Sequence, residues 1–386
     1  MLEGISAGTT TVVDHAHIAM SPEHVKLGIA ATTSSGIRAV YCYTPTVRIK
    51  SFSPLSIHEN LMEDWVMDTF IELADQAPFG DGRVTLGFAW DLWFLPKEQI
   101  QKVFTKVEEK GIRTLTFHHS HHASIFKLLE DFGLLDERAL VSHGGEFSKE
   151  DAELVRKKGA RVSSTPSTEL QMALGRPVCF DAAYEPYGDR HGIQDHASFG
   201  VDCHSNQAGS IISEARIGLQ SARNHFNERY SVKGKLPRRL PDNLSVESAF
   251  NLATIKGAEA IQMGDVIGRI AEGYKADLVV FDALSPSMIG AAQHDPVAAV
   301  ILHSNPGDIQ VVMIDGIIRK NGTLSPIEVD EAASQAVSAK ILTWGNIAKE
   351  ILKSREVIQS QAGKIDVAQC VEAITKMWHL DSKVVD

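Results

Sequence analysis

The feature that most limits what this chain can fold into is a strand–helix alternation running as far as Val201. Short apolar or alternating runs occur at 9–14, 38–43, 83–90, 113–117, 139–142, 161–165 and 197–201. Stretches with helical spacing lie between them, at 22–35, 61–76, 96–110, 124–133 and 148–158. Gly36, Gly111 and Gly159 stand just past three of these predicted helices, with the next strand close behind. A glycine that ends a helix and leads into a strand marks an αβ loop. Repeated this often, the pattern requires a parallel sheet with helical crossovers, as a (β/α)₈ barrel or a doubly wound sheet. No GxGxxG or GxxxxGK[ST] follows any of the runs, so the nucleotide-binding open sheet has no support. Seven strands can be counted where a closed barrel needs eight, so a first strand is expected to be missing, upstream of Met1.

Beyond the alternation, 245–260 reads as one amphipathic helix. Short strands with Asp315-Gly316 and Asn321-Gly322 turns then predict a small β-unit. From 326 onward helical spacing returns. Val337, Ile341, Trp344, Ile347, Ile351 and Ile358 recur every three or four residues or in multiples of that spacing, predicting a helix that docks on the body. The expected organisation is a barrel at 1–265, a β-unit at 266–325 and a helical extension at 326–386.

A net charge of −11, from 38 Lys and Arg against 49 Asp and Glu, argues against a nucleic-acid or anionic-membrane partner. The one basic stretch, 233–239, contains Gly234 and Pro237 and reads as a solvated loop. Four cysteines lie far apart without a CxxC pair, which speaks against a disulfide framework or zinc knuckle. With no run of 18 apolar residues and no leader pattern at its start, the chain reads as cytoplasmic, with a homo-oligomer left open.

Sixteen histidines are the unusual figure, and they cluster. Side chains alternate faces along a strand. If Leu115 and Phe117 meet the helices, then Thr114, Thr116 and His118 face the barrel axis. His118 therefore ends a strand pointing inward, where barrel enzymes place their chemistry. The next strand ends in His143 and the last in Asp202. Two imidazoles and a carboxylate at three strand ends suit a divalent metal such as zinc. His15 and His17 have the spacing of metal ligands but read as the opening of a βα loop. The tract 118–122 reads as loop, and Cys203 as a small buried thiol.

These residues carry a resemblance. The chain resembles the amidohydrolase superfamily, most closely its cytosine deaminase and chlorohydrolase branch. ISAGTTTVVD at 5–14 looks like that branch's second strand, and LLDERALVSH at 134–143 its approach to the sixth-strand histidine. GARVSSTPS at 159–167 looks like the seventh strand, and Gly200-Val201-Asp202 with Glu214 and Arg216 like the eighth strand and its helix. NLATIKGA at 251–258 and GRIAEGYKADLV at 268–279 look like the C-terminal signature.

The resemblance implies a metal-dependent hydrolase of non-peptide C–N bonds in a small, cyclic or heterocyclic substrate, using zinc or alternatively iron. It places His118, His143 and Asp202 at the metal. The metal would acidify a water, Asp202 would carry its proton to the leaving nitrogen, and His143 would polarise the scissile bond or orient the hydroxide. The resemblance also implies an HxH pair on a strand preceding this chain, with two consequences. His15 and His17 are not its equivalent, and the chain alone is expected to bind metal weakly; the alternative is an inactive, truncated relative. The branch's glutamate, three residues beyond the strand-five histidine, is replaced by His121, with Glu146 as a substitute from another strand.

Overall fold

In the computed structural model, residues 1–119, 124–145, 147–180 and 193–377 are described. Seven parallel strands form one curled sheet in chain order. They are β1 (Thr11–Ala16), β2 (Arg38–Tyr43), β3 (Val84–Ala89), β4 (Leu115–His118), β5 (Ala139–Ser142), β6 (Arg161–Ser164) and β7 (Ala197–Phe199). Helices α1 (Pro22–Ser35), α2 (Asp64–Gln76), α3 (Lys97–Glu109), α4 (Ile125–Asp131) and α5 (Lys149–Lys158) supply crossovers between the first six strands. A longer helix, Ile211–Ser231, follows β7. The sheet stays open: among the described residues β1 pairs only with β2, and β7 only with β6.

The alternation of side chains sorts the core into two layers. Tyr41 and Tyr43 of β2, Leu86 and Phe88 of β3, Leu115 and Phe117 of β4 and Val141 of β5 share one cluster with Ile29, Phe70, Val103 and Phe104 of the helices. The intervening residues Val40, Cys42, Ala89 and Leu140 form a second cluster inside the curl, closed by Ala258, Ala260, Ile261 and Ile267. Each large side chain buried this way contributes about 1.5–3 kcal/mol.

Several expectations are corrected. The helix expected over 245–260 breaks at Thr254 (φ −128, ψ −98), giving Val246–Leu252 and Ile255–Ala260, with the Thr254 hydroxyl donating back to the Phe250 carbonyl at 2.8 Å in competition with the backbone. The β-unit is a four-stranded antiparallel sheet of Leu278–Phe281, Ile309–Ile314, Ile317–Asn321 and Thr323–Leu324. It is interrupted by helical turns at Ile289–His294, Pro296–Ala298 and Ala299–His303, the second begun by Asp295 as cap and Pro296 at the first turn. The expected tail stripe is broken: Val337 ends the helix Glu331–Val337, Ile341 lies in the strand Ile341–Leu342, and the helix Trp344–Ala362 that follows buries none of its residues, with Trp344, Ile351 and Ile358 exposed. Periodicity reports a helix, not the surface it meets.

The β-unit is locked to the barrel at the start of β2. The buried Arg38 guanidinium donates to both Asp277 oxygens, at 2.7 and 3.0 Å, and Asp277 also accepts the Asp315 backbone N–H at 2.7 Å. Lys320 reaches the other way and donates to the Ser6 carbonyl at 2.8 Å. None of the described helices is long and apolar enough to cross a membrane.

Candidate active site at the strand ends

His118 closes β4 on the face opposite Leu115 and Phe117. Its backbone N–H donates to Asp91 Oδ1 at 3.0 Å, and its Nδ1 lies 2.7 Å from Asp91 Oδ2. Asp91 stands just past β3, where the strand delivers it to the same rim. Its Oδ2 is also 3.1 Å from His15 Nε2. His15 and His17 sit two residues apart at the end of β1, and the His17 N–H donates to the His15 carbonyl at 2.8 Å. That tight turn stacks the two rings at 4.5 Å. The His118 ring is 4.3 Å from His15 and 5.1 Å from His17.

On the other flank, the His143 and His118 rings are 5.6 Å apart. The short helix Pro166–Gln171 positions the groups there. Its cap residue Thr165 places Oγ1 2.7 Å from His143 Nδ1, and its Thr168 hydroxyl donates to Asp202 Oδ2 at 2.7 Å. Asn206 Nδ2 donates to the same oxygen at 3.3 Å. The Asp202 carboxylate is close enough for its charge to act on His17, His118 and His143. His143 (φ 69) and Asp202 (φ 57) both adopt left-handed backbone, unusual outside glycine and costing about 1–3 kcal/mol each. Such strain collects where side chains must be aimed.

The electrostatics divide the imidazoles. Burial pushes His15 down to about 4, despite its contact with Asp91. Burial, then the charge of His118, likewise pushes His143 down to about 4. Burial opposes charge on His118 too, but the hydrogen bond and charge of Asp91 outweigh it and raise His118. Burial alone would raise Asp91, yet His118 and His15 hold it well below the usual carboxylate range.

The structure thus brings His118 and His143 together with Asp202 on their flank. It corrects the reading of His15 and His17 as the opening of a loop: β1 runs on through Ala16, which carries His15 into the site. Asp91 was missed, although it follows the 83–90 strand as His143 and Asp202 follow theirs. Cys203 is exposed rather than buried, because it lies on the rim loop after β7, 3.0 Å from the Ser205 hydroxyl. His119 turns outward, with its ring 5.5 Å from Phe147. His121, His122 and Glu146 lie outside the described residues.

A metal fits these donors. His15, His17, Asp91 and His118 each offer a ligand atom within 4.8 Å of the others, and the buried His15 Nδ1 makes no hydrogen bond among the described residues.

A profile of the amidohydrolase family matches residues 1–319. The 5-methylthioadenosine/S-adenosylhomocysteine deaminase 1 of Archaeoglobus fulgidus is 24% identical over 217 residues, 56% of this chain and 46% of that protein. The S-triazine hydrolase of Gordonia rubripertincta is 23% identical, covering 76% of this chain and 62% of its own length. The chain spans about half the length of the curated relatives it matches first. An adenosine deaminase of Xanthomonas campestris, crystallised with zinc, superposes with a TM-score of 0.65 at 19% identity, covering 87% of this chain and 72% of that one.

Proposed function

Because the chain belongs to the amidohydrolase family, we propose that it is a metal-dependent hydrolase of non-peptide C–N bonds in a small heterocyclic molecule. The observation that carries this reading is the meeting of His118 and His143 at one strand-end rim, with Asp202 acting on both. Relatives named for deaminating 5-methylthioadenosine and for hydrolysing s-triazines support a flat, nitrogen-rich ring as substrate.

The metal would be held at His118, the residue common to the set expected from sequence (His118, His143, Asp202) and to the observed cluster. A bound divalent ion, zinc or alternatively iron, supplies the Lewis acidity that makes water a nucleophile near neutral pH. Asp202, fixed by Thr168 and Asn206, accepts the proton of the attacking water and returns it to the leaving nitrogen. His143 is neutral at pH 7, and with Nδ1 engaged by Thr165 it presents its other nitrogen to the scissile bond.

The test is turnover by the zinc-reconstituted protein on a panel of adenine nucleosides and amino- or chloro-s-triazines, followed by ring absorbance and ammonia release. Activity lost in His118→Ala and reduced in Asp202→Asn is the expected result. Metal-loaded protein inert on the whole panel would count against hydrolysis and leave a binding relative.

A further inference from the structure

We propose that His15, His17, Asp91 and His118 form a divalent-metal site, and that His15, His17 and Asp91, rather than His143 and Asp202, complete the coordination of His118. The proposal rests on the metal-dependent reading above and names its ligands. The reading of the β1 pair as the start of a loop, and the resemblance, set it aside despite its spacing; its position in the sheet brings it back.

The four ligand atoms come from the ends of three strands, β1, β3 and β4, that lie close together in the sheet. His15 lies on β1 and His17 just past its end, and the tight turn made by the His17 N–H on the His15 carbonyl goes with the two rings stacking at 4.5 Å. The rings of His15 and His17 are thereby drawn to within 5.1 Å, by centroids, of a single partner ring, His118. One carboxylate faces two of the three imidazoles, Asp91 Oδ2 lying 2.7 Å from His118 Nδ1 and 3.1 Å from His15 Nε2.

The His15 side chain is 10% exposed; its Nε2 faces Asp91, while its Nδ1 makes no hydrogen bond among the described residues. A buried polar atom left without a partner is costly, and a ligand is the usual resolution. A cation between the rings would satisfy His15 and would take up the charge of Asp91. Three nitrogens and one oxygen select a borderline ion such as zinc over magnesium or calcium, which prefer all-oxygen sites. His143 and Asp202 would then be left for proton chemistry, each already held by its own partner in Thr165 and Thr168.

The experiment is metal binding, read without reference to turnover. The full chain, stripped with chelator, is titrated with Zn²⁺ by calorimetry and with Co²⁺ by visible absorption. One ion per chain is expected, with visible Co²⁺ bands of a nitrogen-rich site. His15→Ala, His17→Ala and Asp91→Ala should each weaken Zn²⁺ by more than the roughly 10–100-fold that outer partners of a metal site carry. Asp202→Asn should move affinity less. His17 is exposed, so His17→Ala keeps the test valid if the buried variants fail to fold. Wild-type protein that takes up no ion would overturn the proposal. So would Zn²⁺ affinity unchanged in His15→Ala and His17→Ala but lost in His143→Ala and Asp202→Asn. Zinc bound in the expected pattern without turnover on any heterocycle leaves the site standing and removes the hydrolase reading. Turnover without that pattern does the reverse.

Discussion

Asp91 holds His118 at two points, accepting the backbone N–H on one oxygen at 3.0 Å and the ring Nδ1 on the other at 2.7 Å. The two contacts fix the end of the strand, and an ionised Asp91 favours the ring form that carries a proton on Nδ1.

Asp91→Asn should loosen that choice. An amide replaces one carboxylate oxygen with a donor, so His118 is expected to redistribute between its two tautomers while the fold is kept. Long-range ¹H–¹⁵N correlation spectra of metal-free protein report this directly. A single Nδ1–H tautomer in both proteins would show that Asp91 does not set it.

Thr165 plays the corresponding part for His143, its Oγ1 2.7 Å from Nδ1. Thr165→Val keeps the shape and removes the hydroxyl, so kcat on a turned-over heterocycle should fall by roughly 10–100-fold, the scale on which outer partners of a site act. Thr165→Ser should recover most of it. Equal losses in both variants would make the role one of packing.

The Arg38–Asp277 pair ties the β-unit to the barrel from a buried position, with side chains 6% and 4% exposed. Removing Asp277 leaves the buried Arg38 guanidinium only Asp315, 3.5 Å away, and Asp277→Ala is expected to cost up to about 3–5 kcal/mol. The double variant Arg38→Met with Asp277→Leu should cost less than either truncation, since no charge is stranded. Urea unfolding of the set checks both statements, and a double variant worse than Asp277→Ala refutes the second.

Glu214 gives a pH dependence of definite sign. Burial raises its carboxyl above 4.5, against the Ser167 N–H and hydroxyl that donate to it at 2.8 and 2.6 Å. Between 4.5 and the raised value the native state keeps a proton that the unfolded chain has released. Native stability from this group therefore falls as pH rises through that window, by about 1.4 kcal/mol for every tenfold weakening of the acid on folding. Relative to Glu214→Gln, the wild type should lose stability from about pH 4 upward and then level off. A difference between the two proteins that stays constant with pH would contradict this.

The sequence by itself determined the local and the periodic. The strands at 38–43 and 139–142 and the helix at 22–35, closed by Gly36 at φ 76, lie where the residues put them, because apolar alternation and capping act over a few residues. The same parity aimed His118 inward, and strand ends pointed to His143 and Asp202. What a strand end meets is another matter. Asp91 and His15 acquire their meaning from β1, β3 and β4 lying near one another in a curled sheet, which brings Asp91 to His118 and to His15 across stretches of chain that no window of sequence contains. The exposed tail helix and the helical insertion between the first two strands of the β-unit were decided at the same level. An apolar spacing fixes which face of a helix seeks burial, while only the assembled body offers or withholds a surface to bury it.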